Sequence, residues 1–177
     1  MHIQTHILSG WCFGNLLPLR ARDRLLCMIA ASAQDLDGLG ILYSEELYWD
    51  LHHRLGHSLT AGVVLAAVLT IFATRKVLGF LAFLVLFHLH LLMDYFGSGP
   101  EWLIHYYWPF NDHGFESAYV WPLFSWQNIT AFVLLLGWTV WIGYRHRRTP
   151  LEVLMPSLDR KLTGAEPFRR RAAAADQ

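Results

Sequence analysis

Apolar residues fall in long blocks along this chain, unlike the finely mixed pattern of a soluble fold. The clearest block runs from Ser58 to Thr74 and closes at Arg75-Lys76; a second opens at Val77 and continues to Tyr95. Each approaches the roughly 20 apolar residues that a helix needs to cross a bilayer core. The pair therefore reads as a helical hairpin whose turn is Arg75-Lys76. A third block, Asn128 to Tyr144, is bordered by Trp126, Trp138 and Trp141 and stopped by Arg145, His146, Arg147 and Arg148. Tryptophan at such borders suits a membrane interface. Two shorter blocks come first, Ile3 to Leu19 and Leu25 to Ala33, separated by the basic stretch Arg20-Ala21-Arg22-Asp23-Arg24. The second is too short to span by itself and is expected to tilt, re-enter or extend into the residues that follow. The pattern predicts an all-α, polytopic membrane bundle of four or five short transmembrane helices. Leu36 to Leu55 and Gly97 to Ser125 are polar, aromatic and marked by Gly and Pro, and read as loops.

Composition strengthens this picture: 54% of the 177 residues are hydrophobic and 15% aromatic, rich for a fold that must also present a water-facing surface. The formal net charge is zero, so whole-chain electrostatics offers nothing to a nucleic acid, and membrane lipids are the expected partners. Where the charges lie matters more. If the basic stretch, Arg75-Lys76 and everything after Tyr144 face the cytoplasm, every Lys and Arg except Arg54 lies on that side, as the positive-inside rule requires. Asp35, Asp37, Glu45, Glu46, Asp50, Asp94, Glu101, Asp112 and Glu116 then share the opposite face. Residues 1–145 are expected to form the membrane-embedded domain, and 146–177 a basic, partly disordered cytoplasmic tail. The start, Met1-His2-Ile3-Gln4, lacks the basic region of a cleavable signal peptide, so the first apolar block is expected to be retained. Cys12 and Cys27 lie in apolar blocks without metal-binding spacing and read as packing residues.

Candidate chemistry lies at one end of the hairpin. His90 and Asp94 are four residues apart, which puts imidazole and carboxylate on one helical face. Ionisable groups inside an apolar helix must be paired, ligated or turned into a polar cavity. The preceding block opens with His52-His53-Arg54-Leu55-Gly56-His57-Ser58, where His53 and His57 repeat the four-residue spacing. Because Arg75-Lys76 is the far end of the hairpin, His57 and Asp94 must share the near, non-cytoplasmic end. Asp35-Leu36-Asp37 adds two carboxylates where the second block emerges, and His6 reaches the same plane if the first block crosses from outside to inside. Imidazole nitrogen with carboxylate oxygen suits zinc first, with manganese or iron as alternatives, and these donors provide for one or two ions with Asp94 as the natural bridge. The expected metal ligands are His6, Asp35, Asp37, His57, His90 and Asp94. His53 is expected to support them or join them, and Arg54, the one basic residue on its side, to clamp a phosphate or developing oxyanion; its alternative is an ion pair with Asp35, Asp37 or Asp50. His52 and His88 rank below their neighbours, His105 and His113 are late candidates, and Trp102, Tyr106 and Tyr107 read as interfacial anchors.

Taken in order, Thr5-His6, Asp35-Leu36-Asp37, His53-Arg54 with His57-Ser58, His90 with Leu91, Leu92 and Asp94, then Gly97 to Gly99 and Trp108-Pro109-Phe110, the chain resembles the bacterial YdjM-type family over about residues 1–145. That family is described as inner-membrane-associated, metal-dependent hydrolases. Two departures stand out: Gln34 where the family commonly has Pro before the first Asp, and Gly56 where it commonly has Thr before the second histidine. The resemblance implies a multi-pass inner-membrane hydrolase, and a metal-activated water is the usual route to ester or phosphoester cleavage. A looser likeness to zinc-dependent phospholipase C and P1-type nucleases, which carry a His-x-x-x-Asp helix at their metals, implies phosphoesters. A site ringed by aromatic residues at the interface points to a lipid-like substrate. The competing expectation is a non-catalytic membrane protein with a structural or transport metal, or one that docks a partner through its basic tail.

Overall fold

The computed structural model describes residues 1–164. Helices dominate: α1 (Ile3–Leu16), α2 (Ala21–Ala30), a 3₁₀ segment (Ala33–Leu42), α3 (Glu45–Leu51), α4 (Leu59–Phe72), α5 (Lys76–Gly97), α6 (Trp126–His146) and α7 (Pro156–Thr163). An isolated bridge between Ile104 and Phe115 is the one extended pairing among the described residues. Local chemistry sets the boundaries. Leu17 precedes Pro18, which disfavours helical backbone and ends α1 three residues before the apolar block does. Ser58 caps α4 by accepting from Ala61 N, and Ser125 caps α6 by accepting from Asn128 N.

Helix α1 packs on α2 and α6, α4 on α5, and α2 on α5. A Cβ at Gly10 would stand 2.5 Å from the carbonyl oxygen of Cys27, so glycine lets α1 and α2 approach at backbone distance. Cys27, Leu26, Ala30, Ala66, Leu69, Phe83 and Leu86 fill the core between α2, α4 and α5. Both cysteines are free and buried. One helix among the described residues, α5, is long and apolar enough to cross a membrane, and α2 with the 3₁₀ segment passes the same test as a pair bent by 51°. Helix α4 is apolar but 14 residues long.

Two expectations change in detail. The stretch expected as loop between Leu36 and Leu55 is largely helical, folded as the 3₁₀ segment and α3 beside each other. The tail is folded as far as it is described: Arg24 grips Glu152 through two bonds of 2.7 and 2.8 Å, Thr149 N donates to Asp159 at 2.6 Å, and Arg147 donates to the Thr163 carbonyl at 2.8 Å. Residues 165–177, with the Arg169-Arg170-Arg171 run, lie outside the described residues.

Candidate metal centre

The up-and-down course of the chain gathers four polar elements at one end of the bundle. Helix α1 begins there and carries His6 in its second turn; α2 ends there, and the 3₁₀ segment holds Asp35 and Asp37. The turn before α4 holds His53 and His57, and the last turns of α5 hold His90 and Asp94. His6, His57 and His90 have no exposed surface, and Asp94 is 2% exposed. Asn128, fully buried, ties α6 to this end by donating to the carbonyls of Gly97 and Leu123 at 2.8 Å each.

Hydrogen-bond partners fix which imidazole nitrogens are free. His90 Nδ1 donates to the Ala31 carbonyl at 2.8 Å, and His57 Nδ1 donates to Asp37 Oδ2 at 2.9 Å. Both partners are acceptors, so each neutral ring carries its hydrogen on Nδ1 and leaves a lone pair on Nε2. Those two Nε2 atoms face each other at 3.1 Å. Asp94 Oδ2 stands 2.9 Å from His90 Nε2 and 3.4 Å from His57 Nε2, close enough to bond, yet with no hydrogen-bond partner. Three electron-rich atoms thus converge in a buried space, an arrangement that demands a cation. Burial alone would lower the pKa of His57, but the bond to Asp37 and the nearby Asp94 carboxylate outweigh it and raise it to about 9.

The other donors surround this core. His6 Nε2 lies 3.2 Å from Asp94 Oδ1, which the Met1 amino group also contacts, and Asp35 Oδ1 lies 3.6 Å from His90 Nε2. His6 Nδ1, His53 Nδ1 and Asp35 Oδ2 are buried without a partner. Burial, with His57 beside it, holds His53 well below its ordinary pKa, so the ring is neutral and free to ligate. Two sets of donors arise, His6, Asp35, His90 and Asp94 in one and His53, His57 and Asp94 in the other, each with its donor atoms within 4.8 Å of one another. Nitrogen and oxygen donors at this spacing fit a divalent metal of the zinc, manganese or iron type.

Asp37 stands one step back. Its Oδ1 accepts from His52 Nδ1 at 2.6 Å, and its Oδ2 accepts from His57 Nδ1 and from Gly56 N at 3.0 Å. Burial would raise its pKa, but the bonds from His52 and His57 hold it below the usual carboxylate range. The geometry makes it the carboxylate that orients the His57 ring. His52, ranked low by sequence, belongs to this arrangement. A Cβ on Gly56 would stand 2.4 Å from the Gln34 carbonyl oxygen, so the two positions that depart from the family pattern touch each other. With no room for threonine here, the Gly56 backbone N–H bonds the carboxylate instead.

The i, i+4 spacing of His53 and His57 does bring their rings together, with centroids 4.4 Å apart, though not on a helix: His53 has φ 65° and α4 begins only at Leu59. Arg54 meets none of Asp35, Asp37 or Asp50; it pairs with Asp112 at 3.3 Å in an exposed position. His88 faces outward on α5, bonded to the Leu84 carbonyl and the Tyr106 hydroxyl. His105 contacts Asp112 at 3.1 Å and His113 is exposed, both apart from the donor sets. A cavity of about 470 Å³ opens over the centre, and its lining includes Asp35, His53, Tyr48, Trp102, Leu39 and Leu123. The carbonyl of Ala31 could not have been found by residue type, since any residue supplies one.

A family model described as YdjM inner membrane protein matches residues 1–158. The chain belongs to the YdjM inner membrane protein family. The match covers every donor of the centre together with the Arg24–Glu152 clamp at the other end. No curated protein and no solved structure matches the chain.

Proposed function

We propose that this YdjM-family protein is a membrane-bound metal-dependent hydrolase that cleaves an ester or phosphoester of a lipid-like substrate. The observation that carries the reading is the convergence of His57 Nε2, His90 Nε2 and Asp94 Oδ2 with both Nδ1 atoms already committed to acceptors. A bound zinc, or manganese or iron in its place, supplies a water of lowered pKa and a Lewis acid for the scissile group. The chain's own residues hold that chemistry in place. Asp37 and the Ala31 carbonyl keep the Nε2 lone pairs aimed inward, and His53 and Asp35 stand where the cavity meets the donors. Tyr48, Trp102, Leu39 and Leu123 give the cavity the mostly apolar, aromatic wall that an amphiphile needs.

In this reading the bundle crosses the inner membrane several times through short helices, with the C-terminal side cytoplasmic and the centre on the opposite face. Wide apolar exposure on the helices supports it: Val64 is 57% exposed, Leu81 54% and Leu134 68%, a surface that lipid covers and water would not tolerate. Donors layered at one end favour catalysis over transport, which calls for ligands strung through the bilayer. Arg54 is turned to Asp112 and does not line the cavity, so it is not placed to clamp a developing anion. The test is elemental analysis of detergent-purified protein beside Asp94→Ala and His57→Ala, followed by chromogenic phosphoesters, acyl esters and lipids as substrates. Full metal content in both variants removes the site, and metal without turnover of any substrate leaves a structural centre in place of the enzyme.

A further inference from the structure

The donor count exceeds what one zinc ion takes. A tetrahedral zinc uses four ligands, and a catalytic one usually three from protein with one position open. Here six side chains, His6, Asp35, His53, His57, His90 and Asp94, fall into two sets that share Asp94. The two oxygens of that carboxylate face different partners: Oδ1 faces His6 Nε2 at 3.2 Å and also meets the Met1 amino group, while Oδ2 faces His57 Nε2 at 3.4 Å and His90 Nε2 at 2.9 Å. The carboxylate thus meets nitrogen donors of both sets, His6 and His90 from one and His57 from the other, and is placed to serve two neighbouring cations. Unpartnered buried atoms occur in both sets, His6 Nδ1 and Asp35 Oδ2 in one and His53 Nδ1 in the other. The cavity is lined by Asp35 from the first set and His53 from the second, so both halves of the centre open onto one space.

We infer that the centre is a two-ion site bridged by Asp94, with His6, Asp35 and His90 serving one divalent cation and His53 and His57 the other. The inference rests on the metal-centre reading above and commits it to a stoichiometry. Paired ions about 3.5–4 Å apart are a recurrent device for clamping the attacking and leaving oxygens of a displacement, and a shared carboxylate sets such spacing.

The experiment is metal counting on the full chain in detergent micelles, stripped with chelator and reloaded with zinc or with manganese. Wild type is expected to hold two ions per chain, His53→Ala and His6→Ala one each, and Asp94→Ala none, with circular dichroism checking that each variant stays folded. Manganese-loaded wild type should show an exchange-coupled paramagnetic resonance spectrum, and His53→Ala the six-line signal of an isolated ion. One ion in wild type, with no coupled signal, overturns the two-ion centre and leaves a single-metal site standing. No ion in folded wild type overturns both the two-ion centre and the proposed function.

Discussion

The two ends of this bundle bury polar groups in opposite ways. At the end bearing Arg20 to Arg24, the two most deeply buried charges are matched, although Arg148 Nε beside them has no partner: Arg24 meets Glu152 through two bonds, and Asp23 accepts from both the backbone N and the hydroxyl of Thr74. At the other end, acceptors face acceptors: two imidazole Nε2 atoms and a carboxylate oxygen share one buried space, and His6 Nδ1, His53 Nδ1 and Asp35 Oδ2 have no partner. A matched buried group is finished structure, because each charge already has its counterion or its hydrogen-bond donors. An unmatched convergence is unfinished until a cation completes it. Both ends bury charged side chains; the pairing distinguishes a fastening from a site.

The sharpest way to break the comparison is at Asp94. Asp94→Ala should lose bound metal altogether, and chelator should lower the melting temperature of wild type while leaving this variant unmoved, because only a ligand that binds the folded state stabilises it. A chelator response that survives Asp94→Ala would place the metal elsewhere. The matched end should answer in stability instead. Glu152→Ala leaves the Arg24 guanidinium buried without its carboxylate and should cost about 3 kcal/mol in unfolding free energy while metal content stays at the wild-type level; a fall in metal content with stability intact would reverse the roles assigned to the two ends.

Asp37 sharpens the boundary between ligand and support. Asp37→Ala should weaken metal binding about 10–100-fold by competition with a chelator, without changing the number of ions held, since it orients His57 from outside the donor sets. Loss of a whole ion would make it a ligand, as the sequence pattern had suggested. The smallest effect is expected at Arg54→Ala: an exposed pair with Asp112 contributes at most about 1 kcal/mol, and neither metal content nor affinity should move.

Helix type and rough extent were legible in the sequence because apolar blocks act locally; α5 and α6 lie within two residues of their blocks at each end. The hairpin logic that puts His57 beside Asp94 was legible too, since a chain reversed at Arg75-Lys76 has no other course. The helical packing of residues 33–51 was hidden by their polar, Gly-rich composition, and the fold of residues 149–163 by a basic character that suggests a solvated tail.

What the sequence determined by itself was the donor inventory and the end of the molecule at which it gathers, because helical spacing and hairpin topology follow from local patterns. The tertiary structure decided the role each donor plays. Whether Asp37 faces a metal or the back of a histidine, whether Arg54 faces the cavity or Asp112, and which nitrogen of His90 is free depend on backbone placements such as the Ala31 carbonyl and the close pass of Gln34 over Gly56. Those contacts join residues far apart in the chain through atoms that every residue carries, so no pattern of side-chain types could announce them.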